Sequence, residues 1–169
     1  LSSHDIQRFK HIIDGDPAHH RLATALLMAY TGTPCLYYGD EIGLTGGNDP
    51  DNRRCMPWNE AEWDRELQQF HQRVIAIRRS SEALQHGGME WLWADGEVMA
   101  FQRQSENERV LFIGCREGAD DMTLPVAHAG LNDGMRLSDL LSGRQYTVAD
   151  GAIALGALAR GAALLLRAG

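Results

Sequence analysis

Apolar and polar positions follow two rhythms along this chain. Between Ala18 and Tyr30, the residues Leu22, Ala25, Leu26, Ala29 and Tyr30 recur at the helical repeat. Asp16 is a suitable N-cap for that helix, and Pro17 sits in the first turn, where its missing N–H costs nothing. Thr31-Gly32-Thr33-Pro34 stops it. A short apolar run follows, Cys35-Leu36-Tyr37-Tyr38, which reads as a buried strand ending at Gly39. A long polar, glycine-rich loop extends to Asn59. A second helix then starts near Glu60 or Asp64 and runs to Ser80, with Leu67, Phe70, Val74, Ile75 and Ile77 on its apolar face. Arg78-Arg79 stand at its C-terminal end, where the dipole favours cations. With Leu1–Ser3 taken as the end of another strand, residues up to about 80 read as two β/α units.

After His86-Gly87-Gly88 the helical repeat disappears. Short strands are expected at Met89–Trp93, Val98–Gln104, Val110–Cys115, Met122–Leu124, Met135–Asp139, Gln145–Val148, Gly151–Leu155 and Gly161–Arg167. Turns fall at Asp95-Gly96, a hairpin signal, and at Glu106-Asn107. This spacing predicts a small antiparallel β-sandwich. The boundary falls near 81–88, giving units at 1–83 and 84–169. Trp91 and Trp93 share one face at period two, which suits either core packing or a binding surface.

Charge narrows the partners. Sixteen basic against twenty-three acidic residues give a net charge of −7 over 169 residues, which argues against nucleic acid or an anionic membrane and suits a neutral ligand. Cys35, Cys55 and Cys115 form no CxxC pair and read as free thiols in a reducing, cytoplasmic compartment. No signal-peptide pattern opens the chain, and its apolar C-terminal run is too short to span a bilayer. Starting at Leu1 rather than Met, the chain reads as a processed protein or a piece of a longer one.

Candidate chemistry lies in three places. His4-Asp5 follows the first strand end and can bind or catalyse, although such a dipeptide is more often a surface turn. Asp40-Glu41, adjacent on an extended segment, should point to opposite sides and so cannot form a matched acid/base pair. At least one is expected to serve as a structural partner for an arginine such as Arg53 or Arg54. In Asp49-Pro50-Asp51-Asn52-Arg53-Arg54, the planar donors of arginine and the acceptors of aspartate suit sugar hydroxyls or a carboxylate; the bland alternative is a self-paired, solvated loop. Tyr38 and Trp58 offer sugar-stacking faces, while Tyr37 and Trp63 read as core. No metal-ligand spacing, nucleophile elbow or P-loop occurs, so neither a metal nor a cofactor is expected.

The segments SHDIQR, TGTPCLYYGDEIG and GGNDPDNRRCMPW together resemble the α-amylase family of retaining glycoside hydrolases, glycoside hydrolase family 13. Within it they are nearest the maltodextrin glucosidase, neopullulanase and maltogenic amylase group. The resemblance implies the last two β/α units of a (β/α)8 barrel followed by a C-terminal β-sandwich. It implies that Asp5 stabilises the transition state, that His4 donates to the same sugar, and that Asp49 and Arg53 bind the next glucose. It makes Asp40 and Glu41 structural or supporting. The family's nucleophile and general acid have no counterpart here, so the chain alone is expected to be inert and to need the N-terminal part of the same enzyme. The implied substrate is a maltodextrin; a non-catalytic carbohydrate-binding or structural β module is the alternative.

Overall fold

The computed structural model describes all of residues 1–169. Its N-terminal half holds α1 (Phe9–Ile12), α2 (Pro17–Ala29), α3 (Arg65–Arg79) and α4 (Glu82–His86). Both long helices start as their sequences dictate. The Asp16 carboxylate accepts from the amides of Ala18 and His19, and the Asp64 carboxylate accepts from that of Leu67. A single helical turn, α1, precedes them.

Two strand expectations in this half are corrected. Leu1–Ser3 forms no strand, only one bridge between Ser3 and Ile6. Cys35–Tyr38 is neither laddered nor buried: Cys35 and Tyr38 are exposed, and no other segment of the chain pairs with it. A strand is defined by its neighbour's hydrogen bonds, which a run of apolar residues cannot supply by itself. The (β/α)8 assignment is therefore not visible in these residues.

The second half matches its expected pattern strand for strand. β1 (Gly88–Ala94), β2 (Val98–Gln104), β3 (Arg109–Cys115), β4 (Ala119–Pro125), β5 (Arg136–Asp139), β6 (Gln145–Ala149), β7 (Ala152–Leu158) and β8 (Ala162–Ala168) are all antiparallel. They form one continuous sheet, in the order β1-β2-β3-β8-β5-β6-β7-β4, rather than two separate layers. The sheet curls towards a barrel around Leu111, Ile113, Leu124, Leu137, Ile153, Leu155 and Leu166.

A second core lies on the opposite face of β2, β3 and β8. There Phe101, Val110, Phe112 and Leu165 pack against Ala25, Met28 and Ala29 of α2, Val74 of α3 and Leu84 of α4. The central strands are therefore covered on both faces, which explains their near-continuous apolar sequences. Gly161, in the turn before β8, passes so close to α2 that a Cβ there would lie 2.6 Å from that of Ala18.

Two buried arginines bind the helical half to the sheet. Arg78 donates to the carbonyls of Met28, Tyr30 and Gly32, at the end of α2 rather than of its own helix. Arg103, on β2, donates to Ala29 and Tyr30 and to Gly87 and Gly88. Together they satisfy carbonyls that a helix end leaves without partners.

The two tryptophans of β1 do not share a face. A bulge between Trp91 and Trp93 breaks the alternation. Trp91 lies against Phe101 on the helix side and is 51% exposed, whereas Trp93 joins the inner core.

Candidate active site

Two segments distant in sequence meet at the N-terminal end of the molecule. The turn 4–8 and the loop 46–54 are joined by Asn52, whose side chain is fully buried. Its Nδ2 donates to the carbonyls of His4 at 2.9 Å and Ile6 at 3.0 Å. The Arg8 amide donates to Gly46 O at 2.9 Å, and Gln7 Nε2 to Asn48 Oδ1 at 2.9 Å. Gly46 permits this approach: a Cβ there would lie 2.4 Å from Asp51 O.

Beneath the junction lies Arg8, also fully buried. Its Nε donates to Asn52 O at 2.8 Å and its Nη1 to Tyr38 O at 2.5 Å, with Asp40 Oδ1 3.3 Å away. The guanidinium lies over the rings of Tyr37 and Tyr38, 4.1 and 4.5 Å from their centroids. Asp40 also accepts from Ser2 Oγ, which in turn accepts from the Phe9 amide. Arg8 Nη2, Asp40 Oδ2 and Asn52 Oδ1 remain buried without partners at this one place.

Above this base the expected site residues face solvent. His4 and Asp5 are 68% and 72% exposed, with His4 Nε2 3.2 Å from Asp5 Oδ1. Asp49 and Arg53 form a 2.5 Å ion pair and are about half exposed. Asp51 is held separately, by Arg54 at 2.6 Å and by the Gly47 amide at 2.7 Å, and these contacts keep its carboxyl below the usual carboxylate value. The fold thus brings the segments bearing all four expected residues to one rim, already paired as His4 with Asp5 and Asp49 with Arg53.

Asp40 and Glu41 are corrected in two respects. They lie on a 3-10 turn, Asp40–Ile42, not on an extended segment. The partner of Asp40 is Arg8; Arg53 and Arg54 are taken by Asp49 and Asp51. Tyr37 and Tyr38 serve mainly as the faces over Arg8, and Trp63 donates to Pro57 O. Trp58 remains open, 80% exposed. Sequence reasoning overlooked Arg8 and Asn52. Their roles come from partners 30 or more residues away, such as Tyr38 O for Arg8 and His4 O for Asn52, which no local pattern marks.

Residues 1–78 match the family model described as "Alpha amylase, catalytic domain". The chain belongs to the alpha-amylase family. Among its relatives, an amylopullulanase of Thermoanaerobacter thermohydrosulfuricus is 39% identical over 145 residues, covering 79% of this chain and 10% of that protein. A cyclomaltodextrinase of Geobacillus thermopakistaniensis is 36% identical over 149 residues, covering 86% of this chain and 25% of that protein. The solved alpha-amylase of Geobacillus thermoleovorans complexed with acarbose superposes over 100% of this chain and 38% of its own, with a TM-score of 0.87 and 26% identity. This alpha-amylase-family chain therefore spans between 10% and 25% of these two curated relatives. The matched segment 1–78 contains the whole rim from His4 to Arg54.

Proposed function

We propose that this chain is the C-terminal portion of a retaining glycoside hydrolase that cleaves α-1,4 bonds in maltodextrins. In this reading residues 1–83 complete a (β/α)8 barrel and 84–169 form the β domain that backs it. Asp5 accepts from hydroxyls of the sugar at the scissile bond and stabilises positive charge developing on its ring. His4 donates to the same sugar, and the Asp49–Arg53 pair opens onto the next glucose.

The observation that carries the reading is the buried Arg8–Asn52 base, which brings the backbones of 4–8 and 46–54 together and leaves their charged side chains exposed. Rigid positioning beneath an open polar rim is what differential binding of a distorted sugar needs. Retaining hydrolysis also needs two carboxyl groups about 5–5.5 Å apart across the bond. Asp5 and Asp49 have other tasks in this scheme, so the nucleophile and general acid come from elsewhere in the complete enzyme. A reducing, cytoplasmic location fits its three free thiols, two of them exposed.

Asp5→Asn in the complete enzyme tests the assignment. It should lower kcat on maltotriose about 100-fold or more with the fold intact; a near-normal kcat removes Asp5 from the mechanism. The chain by itself should release no glucose from maltotriose, and turnover by it would refute the missing-carboxylate scheme.

A further inference from the structure

Two buried histidines stand between the candidate rim and the cores. His20 on α2 and His71 on α3 are 2% and 1% exposed, their rings edge to face with centroids 5.9 Å apart. Both nitrogens of His71 have a neighbour: Nδ1 lies 2.9 Å from Leu67 O and Nε2 3.4 Å from Thr24 Oγ1. His20 lacks that support. Its Nε2 is buried with no partner, and its ring meets the ring of Phe9 edge to face, with centroids 5.5 Å apart.

A proton on His20 Nε2 would be a buried N–H without an acceptor, carrying a charge that burial penalises. The surroundings add to this cost. After burial itself, His71, Lys10 of α1 and the amine of Leu1 oppose the charge, and Asp64, the N-cap of α3, favours it. Glu41 and Asp40 act on His71. Arg21 of α2 and Glu66 of α3 pair with each other at 3.8 Å, and His19 turns to Asp16 and Glu117. A protonated His20 is therefore stable only once its ring reaches water.

The elements around His20 differ in how firmly they are held. α2 and α3 have 13 and 15 residues, side-chain N-caps and a shared core. α1 has four residues, no side-chain cap and no buried residue. Local opening takes the element with the fewest buried contacts, so α1 is the side that yields. Phe9 of α1 is tied to the base of the rim: its amide donates to Ser2 Oγ, which donates to Asp40 Oδ1, the partner of Arg8. We propose that protonation of His20 is an acid switch that displaces Phe9 and unfastens residues 4–13 from the base formed by Arg8, Asp40 and Asn52, while the β domain stays folded. The opening itself is independent of what the rim does; its consequence, loss of sugar binding in acid, rests on the function proposed above.

The test is an NMR titration of the isotope-labelled 169-residue chain from pH 7 to pH 4. Amide protection of residues 4–13 should fall about 100-fold over this range, as expected for a histidine that titrates near 6.5 when open and about 4 when closed. Phe101, Phe112 and Leu165 should keep their native shifts throughout. His20→Leu should hold residues 4–13 protected down to pH 4. Should that variant fail to fold, Lys10→Gln gives a second reading: it removes a charge that opposes the proton, so the opening should move to lower pH. The proposal is overturned if residues 4–13 stay protected at pH 4, if they open only together with the sheet, if the opening persists in His20→Leu, or if Lys10→Gln leaves it where it was. Asp5→Asn in the complete enzyme tests the function of the rim separately, and a near-normal kcat there would leave the acid opening standing.

Discussion

Asn52 Nδ2 and the carbonyl of His4 are 2.9 Å apart, and with the second bond to Ile6 this one buried amide fastens the N-terminal turn to the loop 46–54. Asn52→Ala should cost about 1–3 kcal/mol in denaturant unfolding, because two inward-facing carbonyls lose their donor. Hydrogen exchange should rise at residues 4–8 before it rises in the sheet. Asn52→Asp should be worse than alanine, since it turns an acceptor towards two acceptors.

Arg8 and Asp40 should behave as a unit. Arg8→Met leaves the Asp40 carboxylate buried without its cation and should cost about 3–5 kcal/mol. Asp40→Asn in the same background should recover part of that loss. A double-mutant cycle measures it; simple additivity would show that the 3.3 Å contact carries no coupling.

Acid should weaken the helical half through its buried histidines. His20 packs edge-on against Phe9 and His71, its Nε2 lacks a partner, and burial lowers its pKa from 6.5 to about 4. Burial lowers that of His71 as well, against an opposing contribution from its bond to Leu67 O. A depressed folded-state value means that the unfolded chain binds more protons. The stability from neutral His20 is therefore complete above about pH 6.5 and is lost as pH falls towards 4, on the order of 3 kcal/mol in all. His20→Leu should flatten the unfolding free energy across that window, and an unchanged slope would refute the assignment.

Arg53→Ala should separate stability from binding. The Asp49–Arg53 pair is half exposed, so its removal should change unfolding by no more than about 0.5 kcal/mol. In the complete enzyme the same substitution should raise KM for maltotriose; an unaltered KM would return the loop to a self-paired surface segment.

The β half was legible because each strand carries its own evidence. Gln145–Ala149 and Ala152–Leu158 alternate, turn residues bound them, and the observed ends lie within a few residues of those expected. The helices were legible through Asp16 and Asp64, whose caps are local. What escaped was non-local. Arg8 owes its burial to Tyr37, Tyr38 and Asn52, all about 30 or more residues away, and nothing in SHDIQR marks that arginine as interior. One extra residue in β1 sent Trp91 and Trp93 to opposite faces, a shift that a period-two count cannot foresee. The run Cys35–Tyr38 has the apolar content of a strand, but no segment of these 169 residues supplies a ladder for it.

The double-sided burial of β2, β3 and β8 bears on how such chains can be divided and recombined. Phe101, Phe112 and Leu165 are surfaced for one set of helices, and Arg103 reaches through to the last carbonyls of α2. A β domain grafted from a distant relative would have to bring matching side chains on the outer face of its sheet, not merely a well-packed interior. Exchange at the level of genes should therefore carry α2 to β8 as one block, and cuts between α4 and β1 should yield chimaeras that express poorly.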